Sequence, residues 1–158
     1  MNVKQQVLAS LERNKGEYIS GTNLSEQLNV SRNAIWKAIK SLQDDGYEIE
    51  GIKNKGYSLS TDSDIISAQS VTKFLSSGAD HFNIEVYDVV DSTNTRLKIE
   101  AGNGIPEGRV IIANEQTSGR GRMNRSFYSP SDTGLYMSIL LRPKMTAQES
   151  LFLTTAAA

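Results

Sequence analysis

The chain has 158 residues, of which 38% are hydrophobic and 22% are charged, and its formal net charge is −1. This composition is that of one ordinary folded domain or two small ones, and no apolar run approaches the ~20 residues that a membrane-spanning helix needs. The sequence has no cysteine and a single histidine, His81. These counts exclude disulfide scaffolds and thiolate metal sites and argue against Ser-His-Asp catalysis, so no metal site is predicted. The start of the chain lacks a signal-peptide core, and a cytoplasmic location is expected.

A first helix is predicted over roughly 3–14, because four apolar residues recur there at helical spacing: Val3, Val7, Leu8 and Leu11. The residues Glu17 to Ile19 are expected to form a short extended segment. Ser20 is a suitable N-cap for a second helix, and Asn29 is expected to end it in a left-handed conformation.

A third helix is predicted to begin at Ser31 and to end near Gly46. Its apolar stripe is Ile35, Ala38, Ile39 and Leu42. The opposite face is cationic, because the residues from 31 to 43 include three basic side chains and no acidic one. Two short helices with this spacing, the second basic on its outer face, predict a helix-turn-helix.

Two alternating strands, 47–51 and 55–60, follow around a Lys-Asn-Lys tip and predict the wing of a winged helix. Lysines at such a tip suit phosphate or minor-groove contacts. An interaction domain with three helices and an ordinary solvated face is the alternative, and Trp36 fits packing better than base contact. The predicted DNA-binding residues are Ser31, Arg32, Asn33, Trp36, Lys37, Lys40, Lys53 and Lys55.

The predicted domains are 1–62, a winged helix-turn-helix, and 63–158, in which helices and strands mix, so the fold class is α+β. The elements expected in the second domain are a strand beginning at Ile65-Ile66, a helix capped by Ser67 through about Leu75, a strand from Asn83, a helix opened by residues 91–94, strands at 109–115 and about 134–141, and an apolar helix from Thr146.

A loop rich in glycine and arginine follows the strand at 109–115. Its core is Gly119-Arg120-Gly121-Arg122. Glycine allows the backbone to approach a ligand closely, and guanidinium groups pair with phosphate or carboxylate through two parallel hydrogen bonds. The loop therefore predicts an anion site at the end of a strand.

The sequence resembles the biotin protein ligases in the order and spacing of four motifs. These motifs are Asp-Ser-Thr-Asn at 91–94, Glu-Gln-Thr-Ser-Gly-Arg-Gly-Arg at 115–122, Ser-Pro at 129–130 and Leu-Tyr-Met-Ser at 135–138. The winged helix in front makes the chain similar to the bifunctional members, which also repress biotin operons. The resemblance implies that the second domain is the first half of a class II synthetase-like mixed sheet domain.

The resemblance also implies a reaction in two steps. Biotin and Mg·ATP give biotinyl-5′-AMP and pyrophosphate, and a lysine of a biotin carboxyl carrier protein then attacks the adenylate. Mg²⁺ enters as the substrate complex with ATP. The implied partners are the carrier protein, operator DNA and a second copy of the chain, with biotinyl-adenylate as corepressor of a homodimer. No membrane is implied.

Site residues carried over from the family fall into two groups. Ser92, Thr93, Asn94 and Gln116 match the lining of the biotin pocket, and helix capping is an alternative or additional role for Ser92 and Thr93. Gly119, Arg120, Gly121 and Arg122 match the loop that closes over biotin and the adenylate. Arg120 and Arg122 are the predicted catalytic residues, acting by positioning and charge stabilisation.

The sequence departs from the family pattern at three places. Asn124 replaces a glycine and Phe127 a tryptophan. The family continues past an apolar helix into a Lys-Trp-Pro-Asn segment, further sheet and a small barrel, whereas this sequence stops at Ala158. The expectation is a truncated catalytic domain, in which residues 61–158 leave an apolar sheet face uncovered and are weak or inactive in catalysis.

Two other functions are compatible with the sequence. One is a DNA-binding regulator that only senses a small anionic ligand and uses the arginines for binding. The other is a lipoate ligase, a class that shares the fold but usually lacks the DNA-binding front end.

Overall fold

The computed structural model describes residues 2–79, 81–121, 123, 125–146, 149 and 153. The fold divides into two compact units, Met1–Gly78 and Ala79–Ala158. Within the part of the chain that the structure describes, no helix combines the length and the apolar character needed to cross a membrane.

The first unit contains three helices, α1 (Val3–Arg13), α2 (Gly21–Gln27) and α3 (Arg32–Asp44), followed by a hairpin. The hairpin pairs β1 (Ile49–Ile52) with β2 (Gly56–Leu59) in antiparallel register. The predicted helix-turn-helix and the hairpin after it are therefore confirmed, with bounds that differ from the predicted ones by a few residues at most.

Local capping explains where α2 and α3 begin. The hydroxyl of Ser20 accepts a hydrogen bond from the backbone N–H of Asn23 (3.0 Å), and that of Ser31 accepts one from Ala34 (3.2 Å). Between the two helices Asn29 has φ 51°, the left-handed conformation that was predicted to end α2. Each of these hydrogen bonds joins residues three positions apart, so the caps could be predicted from the adjacent sequence alone.

A single apolar core holds the first unit together. The predicted stripe of α3 is buried, with Ile35 and Leu42 each 1% exposed. Burial of side chains of this size stabilises a fold by about 1.5–3 kcal/mol each. The buried residues of this core are Val7, Leu8, Leu11, Ile19, Leu24, Ile35, Ala38, Ile39, Leu42, Ile49 and Leu59.

The strand predicted to begin at Ile65-Ile66 was wrong. The residues 64–66 form no strand, and a run of two β-branched residues is not a strand without a hydrogen-bonded neighbour. Ile65 instead places its side chain beside Gly46. Ser67 caps the next helix as predicted, but α4 (Ala68–Thr72) is shorter than expected, and Phe74 is 80% exposed.

The segment from residue 63 to 78 packs against α1 and belongs to the first unit. Lys73 Nζ lies 2.7 Å from a carboxylate oxygen of the buried Glu12 on α1, and Lys15 Nζ donates a hydrogen bond of 2.6 Å to the carbonyl of Ser63. Because these bonds tie α4 to α1, the compact unit extends to Gly78. The assignment of domains to 1–62 and 63–158 stays a prediction.

The second unit contains a three-stranded mixed sheet in the order β3, β4, β5. The strands are β3 (Asn83–Val90), β4 (Arg109–Gln116) and β5 (Tyr136–Ile139), and α5 (Thr93–Gly102) connects the parallel pair β3 and β4. β5 runs antiparallel to β4. The confirmed α+β architecture buries Val90 and Leu97 with four consecutive residues of β4: Val110, Ile111, Ile112 and Ala113.

Apolar side chains of β5 remain open to solvent. Met137 is 49% exposed and Ile139 is 43% exposed, although their cross-strand partners Ile112 and Val110 are buried. The helix predicted from Thr146 falls largely outside the residues that the structure describes.

Candidate functional site

A groove of about 780 Å³ in the first unit lies between the start of α3 and the hairpin. Four of the predicted DNA-binding residues line it: Arg32, Asn33, Trp36 and Lys53. All are exposed. Trp36 is 51% exposed, so it is not a core residue and its indole faces the groove. The groove therefore combines two cations, an amide and an aromatic surface.

The other four predicted DNA-binding residues lie outside the lining of this groove. The hydroxyl of Ser31 caps α3 by accepting a hydrogen bond from the backbone N–H of Ala34. Lys37 and Lys40 are exposed further along α3. The ammonium of Lys55 lies 3.8 Å from the centre of the Tyr18 ring. Lys53 and Lys55, to which the sequence analysis gave the same role, therefore have different neighbours in the structure.

In the second unit, Thr93 and Gln116 form the centre of a hydrogen-bond network. The side-chain oxygen of Gln116 accepts from the backbone N–H of Thr93 (2.9 Å) and from its hydroxyl (3.2 Å). The Thr93 hydroxyl also lies 2.9 Å from that of Ser138, and the Gln116 amide donates to the Ser129 hydroxyl over 3.0 Å. One helix start and two strands are joined by polar groups that offer both donors and acceptors.

Ser92 directly precedes Thr93, the first residue of α5 and a member of this network. It is 1% exposed, and its hydroxyl accepts a hydrogen bond from the backbone N–H of Thr95 over 3.4 Å, which makes it the N-cap of α5. The capping role weighed for Ser92 from the sequence is confirmed. The cap fixes the first turn of α5 and therefore the position of Thr93.

The start of the Gly-Arg loop is packed tightly against the chain that returns toward β5. A Cβ atom on Gly119 would lie 2.4 Å from the carbonyl oxygen of Phe127 and 2.6 Å from the hydroxyl of Ser129. The backbone of Gly119 accepts a hydrogen bond from the N–H of Phe127, and that of Gly121 donates one to Arg125 (both 2.8 Å). Glycine at 119 is required by close approach of two backbones.

Arg120 lines a cleft of about 400 Å³ together with Gly121 and residues of α5. The α5 residues are Asn94, Thr95, Lys98 and Ile99. Asn94 and Lys98 are four residues apart, so they lie on one face of the helix. The cleft therefore brings two cations and an amide together. Arg122, the second predicted catalytic residue, and Asn124 lie outside the described residues.

A second cleft, of about 560 Å³, is lined in part by Gly119. Gln116, Phe127 and Tyr128 contribute to its lining. The two aromatic rings are 54% and 87% exposed, and the Phe127 ring also meets Tyr136 edge to face at 6.4 Å. This surface suits an apolar or heterocyclic ligand group.

Three site residues were missing from the sequence prediction. Ser129 and Ser138 stand within motifs that the sequence analysis quoted, but only the fold shows that their hydroxyls meet Gln116 and Thr93. Lys98 could have been predicted, because it follows Asn94 by about one helical turn and therefore lies on the same face of α5. No group of three or more His, Cys, Asp or Glu side chains suitable for a metal occurs among the described residues.

Comparison with known proteins gives two family matches. Residues 3–58 match the family model described as HTH domain, and residues 86–156 match the Biotin/lipoate A/B protein ligase family. The predicted order of a helix-turn-helix followed by a ligase-family domain is confirmed.

Individual relatives extend across both regions. The chain is 37% identical over 142 residues to the bifunctional ligase/repressor BirA of Bacillus subtilis (strain 168), which covers 90% of this chain and 44% of that protein. It is 37% identical over 127 residues to the protein of the same description from Escherichia coli (strain K12), which covers 80% of this chain and 38% of the relative. The chain therefore spans less than half the length of the curated relatives that it matches.

Proposed function

We propose that this protein, in which a helix-turn-helix domain is followed by a domain of the biotin/lipoate A/B protein ligase family, is a biotin–[acetyl-CoA-carboxylase] ligase that also represses transcription in response to biotin. The observation that carries the proposal is the adjacency of two kinds of site at the start of α5. Thr93 belongs to the hydrogen-bond network with Gln116, and the next residue, Asn94, lines the cationic cleft.

The network around Thr93 is the proposed biotin site. A ureido ring offers two N–H donors and one carbonyl acceptor, and hydroxyl and amide groups complement both. Thr93, Ser138 and Gln116 supply such groups, while the aromatic surface beside Gly119 suits the apolar part of the ligand. Ser92 holds the first turn of α5 in place.

The cationic cleft is the proposed site of phosphate chemistry. A carboxylate oxygen of biotin attacks the α-phosphorus of ATP, and the bond between that phosphorus and pyrophosphate breaks. Arg120 and Lys98 would offset the negative charge of the reacting groups, and Asn94 would donate hydrogen bonds. Arg122 is assigned the same role as Arg120 from its place in the motif. Mg²⁺ would arrive with ATP.

The second step transfers biotin to the carrier protein. The neutral amine of a lysine on the biotin carboxyl carrier protein attacks the acyl carbon, AMP leaves with the electrons of the broken anhydride bond, and the proton released from the nitrogen passes to solvent. The mixed anhydride is already activated toward this attack. Ligand positioning by the network and the cleft would therefore supply most of the catalysis.

The groove in the first unit is the proposed operator contact. Arg32 and Lys53 lie at its edge, and the exposed Lys37 and Lys40 extend the basic face of α3. Cations of this kind neutralise phosphates, and Asn33 suits base recognition. Biotinyl-adenylate would favour a homodimer that reads two half-sites separated by whole turns of DNA. The proposed location is the cytoplasm.

Biotinyl-AMP formation by the full-length protein tests the ligase proposal. Purified protein is incubated with biotin and Mg·ATP, and the adenylate is measured by mass spectrometry as moles per mole of protein. We expect synthesis by the wild type, near-normal synthesis by Arg13→Ala on the exposed surface of α1 and a loss of at least about tenfold with Arg120→Ala, the size expected for one charge-assisted contact.

Failure to form the adenylate would refute the ligase proposal. If the same preparation still bound DNA in a manner that depended on biotin, the regulator that only senses a small anion would be supported instead. Formation of lipoyl-AMP when lipoate replaces biotin, with no biotinyl-AMP formed from biotin, would identify a lipoate ligase.

A further inference from the structure

The wing of the first unit has two faces with different chemistry. Residues 57 and 58 of β2 point to opposite sides of the hairpin, because side chains alternate along a strand. Tyr57 pairs with Gly51 and Ser58 pairs with Glu50. Directly opposed residues share a face. One face therefore carries Tyr57, and the other carries Glu50 and Ser58.

The Tyr57 face belongs to the groove beside α3. Tyr57 lines that groove with Gly51, Lys53 and the α3 residues Arg32 and Trp36. Lys53 is the cation of the wing on this side, and it is exposed. A nucleic acid that contacts the basic start of α3 would therefore meet Lys53.

The opposite face carries a cluster of three polar groups from three chain segments. Ile19 bridges Tyr57 through two backbone hydrogen bonds of 2.9 Å, which places Tyr18 beside Ser58 in the row that leads to Glu50. The Tyr18 hydroxyl donates a hydrogen bond to the Glu50 carboxylate. Lys55 Nζ lies over the same ring, 3.8 Å from its centre. We name Tyr18, Glu50 and Lys55 the back-face cluster.

Two further features show that the back-face cluster is built into the hairpin. Gly56 has φ 117°, and a Cβ there would lie 2.1 Å from the carbonyl oxygen of Ile19, so only glycine permits this approach of segment 17–20 to β2. The hydrogen bond to Glu50 raises the pKa of Tyr18 above its ordinary value. Glu48 lines the same face. Negative charge on this side disfavours an approach by DNA phosphates.

We infer that the two wing lysines have different roles: Lys53 contacts DNA, whereas Lys55 acts with Tyr18 and Glu50 to hold the wing so that Lys53 faces the groove. The inference rests on the proposed DNA binding. Tyr18 is a positioning residue in this arrangement, because its ring carries Lys55 and its hydroxyl fixes Glu50. The sequence alone assigns the same phosphate-contact role to both lysines.

The salt dependence of DNA binding separates the two roles. The full-length protein with biotin and Mg·ATP is titrated with a mixed-sequence DNA duplex at several salt concentrations, and log K is plotted against log salt. Each lost phosphate contact reduces the magnitude of the slope by about 0.9. We expect that reduction for Lys53→Gln and for the α3 control Lys37→Gln. Lys55→Gln should weaken binding with the slope unchanged.

Conservative variants distinguish positioning from a general loss of folding. Lys55→Arg keeps a cation over the Tyr18 ring and should restore affinity, since guanidinium also stacks on aromatic faces. Tyr18→Leu should reproduce Lys55→Gln, and the double variant should be no weaker than either single one. Circular dichroism and thermal unfolding confirm that each variant is folded.

Two outcomes would overturn the inference for different reasons. If Lys37→Gln and Lys55→Gln flatten the slope equally, Lys55 contacts DNA and only the division of roles fails. If the wild type shows no salt-dependent DNA binding, the proposed repressor function fails and the inference fails with it.

Discussion

The side-chain oxygen of Gln116 at the end of β4 accepts hydrogen bonds from both the backbone N–H and the hydroxyl of Thr93 at the start of α5. This pair joins a strand to the helix that follows the neighbouring strand. It satisfies a helix N-terminal N–H that has no partner within the helix. The same atoms form the proposed ureido site, so structure and ligand recognition depend on one amide group.

Gln116→Leu should therefore lose stability and ligand binding together. The backbone N–H of the buried Thr93 would lose its acceptor, at a cost of about 1–3 kcal/mol, while its hydroxyl would keep Ser138 as a partner. Urea unfolding and biotin binding by calorimetry measure the two effects. Gln116→Glu keeps the acceptor for Thr93 and loses the donor to Ser129, so it should be the milder variant. Unchanged biotin affinity in both variants would remove Gln116 from the site.

Gly119→Ala should disrupt the Gly-Arg loop through steric overlap. The added Cβ would meet the Phe127 carbonyl at 2.4 Å, and relief requires movement of one backbone, at about 1–3 kcal/mol. We expect biotinyl-AMP synthesis to fall at least about tenfold, which corresponds to about 1.4 kcal/mol, near the lower end of that range.

Gly102→Ala is the matched control for Gly119→Ala. A Cβ on Gly102 would meet no atom within 4 Å, and alanine favours the helix by up to about 1 kcal/mol. Normal synthesis by both glycine variants would mean that the loop does not need the observed packing.

Lys98→Gln should impair use of ATP more than use of biotin. Lys98 shares the cleft with Arg120, and loss of one charge-assisted contact to phosphate raises the KM for ATP by about tenfold. Steady-state adenylate synthesis with each substrate varied measures the two KM values. Arg96→Gln on the same helix is the control, because its guanidinium lies over the Tyr87 ring at 4.3 Å. Equal effects of the two variants would contradict a specific role for Lys98.

The stability of the second unit should depend on pH through Glu100. Arg109 Nε donates a hydrogen bond of 2.7 Å to this carboxylate and holds the pKa of Glu100 below its ordinary value. A lowered pKa in the folded state contributes stability that is complete above the unfolded pKa of about 4.3 and is lost as the pH falls through the folded pKa.

Glu100→Gln should accordingly lower the free energy of unfolding at pH 7 by about 0.5–1 kcal/mol, the range for a partly exposed ion pair. The difference from the wild type should shrink as the pH falls below about 4. Urea unfolding followed by circular dichroism at several pH values measures it, with Asp88→Asn on exposed β3 surface as the control. A difference that is constant with pH would contradict the role of the charge.

Helix caps and turns that involve residues close together in the sequence were predicted correctly. Ser20, Ser31 and Ser92 each cap a helix through a backbone N–H three residues ahead, and Asn29 takes the left-handed conformation. Such bonds depend on residue type and local spacing. The apolar stripe of α3 could be predicted equally well, because its spacing follows from helix geometry.

The features that could not be predicted from the sequence depend on strand pairing and on the turns between strands. Ile65 and Ile66 have the residue types of a strand, yet no strand forms there, because pairing requires a partner from elsewhere in the chain. Lys53 and Lys55 have equivalent places in the sequence, but in the turn that joins β1 and β2 their side chains have different neighbours. A shift of one residue in register reverses every side chain of a strand.

The sequence by itself determined the helices, their caps, the domain order and the motifs that carry the family resemblance. Only the tertiary structure brought Gln116 to Thr93, Ser138 to the same hydroxyl and Lys98 to the cleft of Arg120. The physical reason is the range of the interactions. Caps and helical periods are set within a few residues, whereas these contacts join groups 22 to 45 positions apart and exist only when the sheet has formed.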